Sequence, residues 1–506
     1  MHIGIGICRN QGPDFDIGRL RFSRCTHLKI DRLKNQSSVL SEGNIKDMRV
    51  LLLGLIYLMF FLSGAAALIY QVVWVRSLSL IFGGSHLAVT AVLSIFMAGL
   101  AIGGYILGRY ADHVRKPLRL YGFLEMGIAL FSILFIGLMK IYPWLYIHLA
   151  QGREENPIYL SVIRIIFSIF ALIVPTTLMG GTLPVISRFV SRHPRTLKRH
   201  LSFLYGFNTL GAVTGASAAG FYFLRLYSVS TTLDIAILIN LLIGLTAILI
   251  QAPSSALLFF EEPTEGHEKG SADVPIIKSD RGKTGRDVIP VKLVLWGIGV
   301  SGFCALGYEV LWTRILSIVI GASVYGFTIM LAAFLSGIAL GSAAYGLMAG
   351  TGDPVFSLAE KPFQWSVLGF GVVLMVIGIT AFFVTLHIRD LPSHSLFLND
   401  YFNNRGMGLF GDILSSNLIL AFSYMILHSF FMGFAFPLAG KVHAEHKNTV
   451  GRSVGEVLAY NTLGAILGAV FTGFVLIYVA GIERSLQILI LINIGFGLFV
   501  AASLLN

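Results

Sequence analysis

Apolar stretches long enough to cross a bilayer constrain this chain more than any other feature of its sequence. A membrane-spanning helix needs about 20 predominantly apolar residues, because each of its backbone polar groups must be satisfied inside the segment. Twelve such stretches occur, in two groups of six. They cover residues 50–74, 86–108, 119–142, 159–184, 203–224 and 232–251, and then residues 293–317, 324–348, 363–386, 413–438, 455–479 and 484–505. They predict an all-α polytopic membrane protein.

The composition excludes an ordinary soluble protein. Of 506 residues, 55% are hydrophobic and 12% are charged, and the mean hydropathy is +0.78. Charged residues make up about a quarter of a soluble domain. The formal net charge of +11 comes largely from basic residues in loops, where they orient spans. We therefore expect contact with membrane lipid and no nucleic-acid partner.

The two halves of the chain are related in sequence. Three motifs each occur twice: Ser-Gly-x-x-Ala-Leu-x-Tyr-x-x-x-Trp-x-Arg at 63–76 and 301–314, Met-Gly-x-x-x-Pro at 179–184 and 432–437, and Asn-Thr-Leu-Gly-Ala at 208–212 and 461–465. Since each half holds an even number of spans, both copies enter the membrane from the same side. The sequence thus predicts two parallel six-helix repeats, 48–251 and 291–506, as in major-facilitator carriers.

The segments outside the repeats are polar. Residues 1–47 are basic and have no apolar period, so we expect a disordered tail. Because Met48 directly precedes the first apolar stretch, we expect the natural start there and a tail that is not native. Residues 252–290 carry many charges and several prolines, which predicts a cytoplasmic linker.

The basic loops set the predicted orientation. The loops after the second and fourth spans are rich in arginine and lysine, which places them in the cytoplasm. Both termini then lie in the cytoplasm of a multi-pass protein of the inner membrane. The segment 387–412 would be external.

The loop after the second span resembles the major-facilitator signature, in which an acid is followed by a basic cluster. Asp112 can cap a helix or pair with a cation, and Arg115 and Lys116 supply the basic cluster. We expect these residues to act in gating. A loop that serves only to orient the spans explains the same pattern.

Two carboxylates, Glu125 and Glu309, lie well inside predicted spans and away from their ends. Glu125 and Glu309 are candidates for binding a cation or a proton, because an ionisable group in a membrane is costly unless it has a role. Gln71 takes the place of Glu309 in the first repeat. Tyr70 and Tyr308 would form aromatic walls for a cation. An interfacial ion pair of Glu309 with an arginine is the structural alternative.

Two further motifs have both a structural and a functional interpretation. The Met-Gly-x-x-x-Pro copies are expected to interrupt the fourth span of each repeat and to expose carbonyls to a cavity, or to mark a cytoplasmic helix end. Asn208 and Asn461 are expected to form interhelical hydrogen bonds rather than to bind a ligand.

Together, the duplicated motifs resemble the membrane part of fused major-facilitator/spermidine synthase proteins over residues 50–506. In that family a soluble aminopropyltransferase domain follows the spans. Here the sequence ends at Asn506, where that domain would start, and no glycine-rich transferase motif occurs, so we expect no enzymatic activity, no catalytic residues and no cofactor. The three cysteines are far apart, and no metal site is predicted.

The resemblance implies two functions. The first is a carrier-like module for a small polar or cationic solute such as a polyamine. The alternative is a non-transporting membrane subunit that anchors or feeds a separate spermidine synthase-like aminopropyltransferase.

Overall fold

The computed structural model describes the backbone of residues 21–82, 86–152, 156–191, 194–259, 285–321, 323–350, 362–403 and 409–504. The first 20 residues of the predicted tail and residues 260–284 of the predicted linker lie outside this part.

The described residues form thirteen principal helices. They are α1 Arg21–Phe82, α2 His86–Ala111, α3 Pro117–Ala150, α4 Pro157–Val190, α5 Pro194–Ser217, α6 Val229–Phe259, α7 Gly285–Ile320, α8 Val324–Gly350, α9 Pro362–Leu386, α10 Leu391–Asn403, α11 Leu409–Lys447, α12 Gly451–Phe471 and α13 Ile477–Ala502. The short α10 lies in the segment predicted to be external.

Ten segments of the described residues are long and apolar enough to cross a membrane. One of them, Gly451–Ala502, contains both α12 and α13, and the chain kinks inside α13 at Gly481, where φ is +75°. Only glycine adopts this left-handed conformation without strain. The fold is thus an all-α, multi-pass membrane fold, which confirms the predicted class.

The duplication is visible in the packing of α1 on α5 and of α7 on α12. A methyl group on Gly64 would lie 2.9 Å from Oδ1 of Asn208, and one on Gly302 would lie 2.9 Å from Oδ1 of Asn461. Asn208 therefore lies where α5 comes closest to α1, and Asn461 lies where α12 comes closest to α7. Neither side chain has a hydrogen-bond partner among the described residues, so the predicted interhelical hydrogen bonds are not observed.

Both repeats also contain a π-helical turn at the same position. The turn Ala218–Phe223 continues α5, and the turn Thr472–Leu476 continues α12. Residues 253 apart in the sequence are equivalent here, so the two turns coincide. A π-helical turn inside a helix is rare and is found at functional sites more often than chance would give.

In the structure α1 begins at Arg21, inside the segment 1–47 that the sequence assigns to a tail. Residues 21–47 extend α1 beyond the apolar span, and they contain no proline and a single glycine, Gly43. Once a helix is nucleated, each further residue adds one hydrogen bond, so a polar segment without strong breakers can continue it.

The predicted interruption of the fourth spans is also wrong, because α4 and α11 run through Pro184 and Pro437 without a break. In each case the carbonyl that proline leaves free belongs to the glycine four residues earlier, Gly180 or Gly433. These glycines pack against the backbone of the neighbouring helix at Leu100 and Ile338. The Gly-x-x-x-Pro spacing therefore serves close helix packing.

The two repeats meet chiefly along two helix pairs, α5 with α8 and α2 with α12. In the first pair, the Ser342 hydroxyl donates a hydrogen bond to the carbonyl of Ser202 at 2.8 Å. In the second pair, Gly108 of α2 lies so close to α12 that a methyl group on it would be 2.9 Å from the carbonyl oxygen of Gly451. A methyl group on Gly455 would collide with the carbonyl of Gly104.

Replacing Gly64 by alanine should destabilise the protein by about 1–3 kcal/mol, since the added methyl group overpacks the contact with Asn208. Gly54→Ala is the matched control on the same helix, because a methyl group there meets no atom within 4 Å. The control should be neutral or slightly stabilising, since alanine favours a helix. Thermal unfolding in detergent measures both, and equal melting temperatures would contradict the packing assignment.

Candidate functional site: an inter-repeat charge cluster and a buried carboxylate

Asp112, at the end of α2, joins the first repeat to the start of α12. Its two carboxylate oxygens accept hydrogen bonds from the backbone N–H groups of Gly451, at 2.9 Å, and Arg452, at 2.7 Å. The residue before α12, Val450, supplies no side-chain cap. Asp112 therefore satisfies two of the free N–H groups at this helix start, and its charge complements the helix dipole. Arg188 of α4 lies 3.4 Å from the same carboxylate.

A second carboxylate, Glu456, lies one turn further along α12 and is almost fully buried. Its Oε1 accepts hydrogen bonds from Arg109 at 3.2 Å and from Arg452 at 2.9 Å. Its Oε2 accepts hydrogen bonds from Nε2 of His443 at 2.7 Å and from Lys447 at 2.5 Å. One buried acid thus binds basic groups from α2, α11 and its own helix.

Asp112 and Glu456 with their basic partners form a set that we name the charge cluster. Its members are Arg109, Asp112, Arg188, His443, Lys447, Arg452 and Glu456. The glycine contact between α2 and α12 places the cluster, because it lets the two backbones touch at Gly104, Gly108, Gly451 and Gly455. Closer approach of the helices also shortens the distances between their charges.

The other two residues predicted to act with Asp112 do not join the charge cluster. Arg115 and Lys116 are exposed. Neither side chain makes a hydrogen bond or an ion pair within the described part of the chain. The basic member of the cluster from this region is instead Arg109, three residues before Asp112, whose guanidinium also stacks on Tyr105 at 3.8 Å.

Glu125 lies in the core of the first repeat, on α3, with no exposed surface. The Ser63 hydroxyl of α1 donates a hydrogen bond to its Oε1 at 2.6 Å, and its Oε2 has no partner. The phenols of Tyr70 and Tyr121 are close enough to interact electrostatically with this carboxylate. The structure therefore brings together two of the predicted site residues, Glu125 and Tyr70.

A cavity of about 130 Å³ lies beside the Glu125–Ser63 pair. Its polar lining consists of Ser63, Thr182, Asn208 and Asn240, from four different helices, and the rest of the lining is apolar. We name this space the α1–α3 cavity. Glu125 lies directly behind its Ser63 wall.

The second repeat has no equivalent carboxylate in this place. Gly122 of α3 packs on the carbonyl of Gly244, and Gly371 of α9 packs in the same way on Gly497, which aligns the two helices 249 residues apart. In this alignment, Glu125 corresponds to Leu374. Tyr121 corresponds to Phe370 and Ser132 to Ala381, and all three replacements are buried apolar side chains.

Gln71 and Glu309 occupy matching positions on α1 and α7, and both are half-buried. Each follows a tyrosine that points into the core of its repeat, so the two side chains point elsewhere. Neither makes a hydrogen bond or an ion pair within the residues that the structure describes. Glu309 is thus not paired with Arg314 or Arg76, as the structural alternative required.

Tyr308 is separate from the Glu125 group. It lies in the core of the second repeat, where Nδ2 of Asn493 donates a hydrogen bond to its hydroxyl at 3.3 Å. Tyr70 is equally buried and stacks on Trp74 with ring centroids 5.1 Å apart. Both tyrosines are core residues, so neither forms an open aromatic wall.

Sequence reasoning missed three residues on which these sites depend. Glu456 lies at the start of a predicted span, so the rule that identified Glu125 and Glu309 could also have identified it. Arg109 lies three residues before Asp112, at the start of the same basic loop. Asn240 has no local signal beyond its repetition as Asn493.

No protein-family model matches the chain, and no curated protein matches it in sequence. Similar solved structures include that of the human organic anion transporter MFSD10 (TETRAN), with a TM-score of 0.50 and 12% identity over 90% of this chain and 99% of that one. A bacterial homologue of the iron transporter ferroportin, in an outward-facing state with soaked iron, has a TM-score of 0.50 and 13% identity over 89% of this chain and 97% of that one. At these identities the likeness shows the fold, which is that of the major-facilitator transporters.

Replacing Glu456 by glutamine should lower the free energy of unfolding by about 3 kcal/mol, because it leaves several basic groups without their buried counter-charge. Glu483→Gln is the control, since the bridge of Glu483 to Arg389 spans 3.9 Å between two exposed side chains. Such a bridge contributes about 0–1 kcal/mol. Chemical denaturation in detergent micelles compares the two variants. An equal loss of unfolding free energy in both would show that Glu456 does not stabilise the charge cluster.

Proposed function

We propose that this protein is a membrane carrier in which the two repeats alternate between closed and open arrangements at the α2–α12 contact. The observation that carries this proposal is the charge cluster, in which Asp112 of one repeat caps a helix of the other. Backbone contacts through glycine and a set of ion pairs are both lost when two helices separate by a few ångströms. Such an interface can therefore exist in two discrete states, as a gate requires.

The proposed orientation places the gate on the cytoplasmic side. The charge cluster lies beside the loops after α2 and α4, which carry the excess of arginine and lysine. In this arrangement both termini and the segment between the repeats are cytoplasmic, and the protein lies in the inner membrane. The described conformation is then closed towards the cytoplasm.

Glu309 is the proposed contact for the solute. It is a half-buried carboxylate inside a predicted span and has no partner among the described residues. Ionisable groups in membrane helices face a protein interior or a water-filled cavity, because contact with lipid is too costly. A small cationic solute, such as a polyamine, would supply the missing positive charge. Gln71, at the matching position, would offer a neutral hydrogen-bonding group.

The alternative is a non-transporting membrane subunit that anchors a separate aminopropyltransferase. A subunit of this kind has no need of an interface that opens. The two functions are therefore separated by whether the α2–α12 contact opens and whether a solute crosses the membrane.

Opening of the gate can be measured with a cysteine at Ala111. Ala111 is fully buried, and a methyl group added to Gly451 would lie 3.0 Å from its Cβ. In a background with Cys8, Cys25 and Cys304 replaced, we expect Ala111→Cys to react slowly with a maleimide. Adding Asp112→Asn should raise the rate several-fold, because the cap loses its charge. Lys116→Gln is the control and should leave the rate unchanged. Equal rates in all three proteins would contradict the gate.

Transport can be measured as uptake of radiolabelled polyamines and smaller amines into proteoliposomes. Glu309→Gln should abolish uptake and leave the melting temperature unchanged, since the residue supports no contact in the described structure. Gln71→Glu should have a milder effect. A Glu309→Gln protein that is less stable but still transports would show a structural role, and absence of uptake with every amine would favour the anchoring subunit.

A further inference from the structure

The two hydroxyls that line the α1–α3 cavity, those of Ser63 and Thr182, present acceptors to it. The Ser63 hydroxyl uses its only hydrogen on Glu125, at 2.6 Å. The Thr182 hydroxyl uses its only hydrogen on the carbonyl of Met179, at 2.7 Å. A hydroxyl has one hydrogen and two lone pairs, so both oxygens have only lone pairs left for the cavity.

Asn240 adds a third acceptor. It is 2% exposed, it lines the cavity, and its Oδ1 has no hydrogen-bond partner. A buried acceptor without a partner costs about 1–3 kcal/mol, so such groups are normally satisfied. An unpaired oxygen on a buried residue that lines a polar cavity favours a ligand that donates hydrogen bonds or carries positive charge.

The charge balance points the same way. Glu125 is a fully buried carboxylate, and none of its polar neighbours, Ser63, Tyr70 and Tyr121, is basic. A buried charge without a counter-charge is very costly. Protonation of Glu125 would remove this charge and let its O–H donate to Ser63, but it would leave the acceptors of Thr182 and Asn240 without partners. A cation in the cavity would satisfy both the charge and the acceptors.

We propose that the α1–α3 cavity binds one small monovalent cation, held by the oxygens of Ser63, Thr182 and Asn240 and balanced by the charge of Glu125 behind Ser63. A single carboxylate balances one positive charge, whereas a divalent ion would leave one charge uncompensated in the core. A volume of about 130 Å³ holds an ion with a few waters, since each water occupies about 30 Å³.

The site belongs to the first repeat alone. The equivalents of Glu125 and Tyr121 are Leu374 and Phe370. The equivalent of Asn240 is Asn493, whose Nδ2 donates a hydrogen bond to Tyr308 and whose Oδ1 has no partner, but no carboxylate lies at the place of Glu125 to balance a cation there. A symmetric packing role would have been kept in both repeats. If the cation is also the coupling ion for transport, that role rests on the proposed carrier function. Binding of the cation does not depend on that function.

The test is cation-dependent thermal stabilisation of the purified full-length protein in detergent, without solute. At constant ionic strength and pH, NaCl and ammonium chloride are each titrated against N-methyl-D-glucamine chloride, whose cation is too large for the cavity. We expect one of the small cations to raise the melting temperature in a saturable way, and the two salts identify which ion binds.

Glu125→Gln and Asn240→Leu should each lose this stabilisation by the small cation. Asn493→Ala is the matched control from the second repeat, because it removes a buried amide but should keep the response to the cation. A melting temperature that depends on pH but not on the cation would overturn the proposal in favour of a protonated Glu125. A response retained in Glu125→Gln would overturn it as well.

The outcome is independent of the transport assay. Binding of the cation without uptake of any amine would overturn the carrier and leave the cation site intact. Uptake that is equal in sodium, ammonium and N-methyl-D-glucamine, with no thermal response, would overturn the cation site and leave the carrier intact.

Discussion

Direct backbone contact between helices at glycine is the constraint on which the rest of this structure depends. In a bilayer, apolar side chains gain little by leaving lipid for each other, so helices associate through close packing and polar contacts. Gly64 with Asn208 and Gly302 with Asn461 provide this packing inside the two repeats. Gly108 with Gly451 provides it between them. The charge cluster forms only because this last contact brings Asp112 within reach of the start of α12.

The two repeats share their packing but differ in their polar groups. The glycine contacts and the π-helical turns recur at matching positions, whereas Glu125 and the charge of Asp112 belong to the first repeat and Glu456 belongs to the second. Repeated contacts preserve the fold, and groups present in one repeat alone are free to serve a function. The proposed cation site therefore lies within the first repeat, where Glu125 is, and the proposed gate lies between the repeats, where Asp112 and Glu456 are.

Features that depend on residues close together in the sequence could be predicted from the sequence. The length of the apolar stretches predicted the helical membrane fold. The position of Asp112 directly after a span identified it as a candidate for capping a helix. Its partner, the backbone of Gly451, is 339 residues away and was not identified. The intramembrane position of Glu125 was evident, but its contact with Ser63 and the unpaired Asn240 come from tertiary packing. Pro184 was misleading, because the local rule for proline ignores the packing of Gly180.

The central claim is that the α2–α12 contact exists in two states, and the distance across it tests this most directly. Spin labels at Arg115→Cys, just after α2, and Glu445→Cys, near the end of α11, are at exposed positions in different repeats and report the separation of the repeats beside this contact by pulsed electron paramagnetic resonance in liposomes. The native cysteines are replaced for this measurement. The account predicts a short-distance population that shrinks in favour of a longer one when Asp112→Asn is added. A single distance, identical with and without Asp112→Asn, would contradict it.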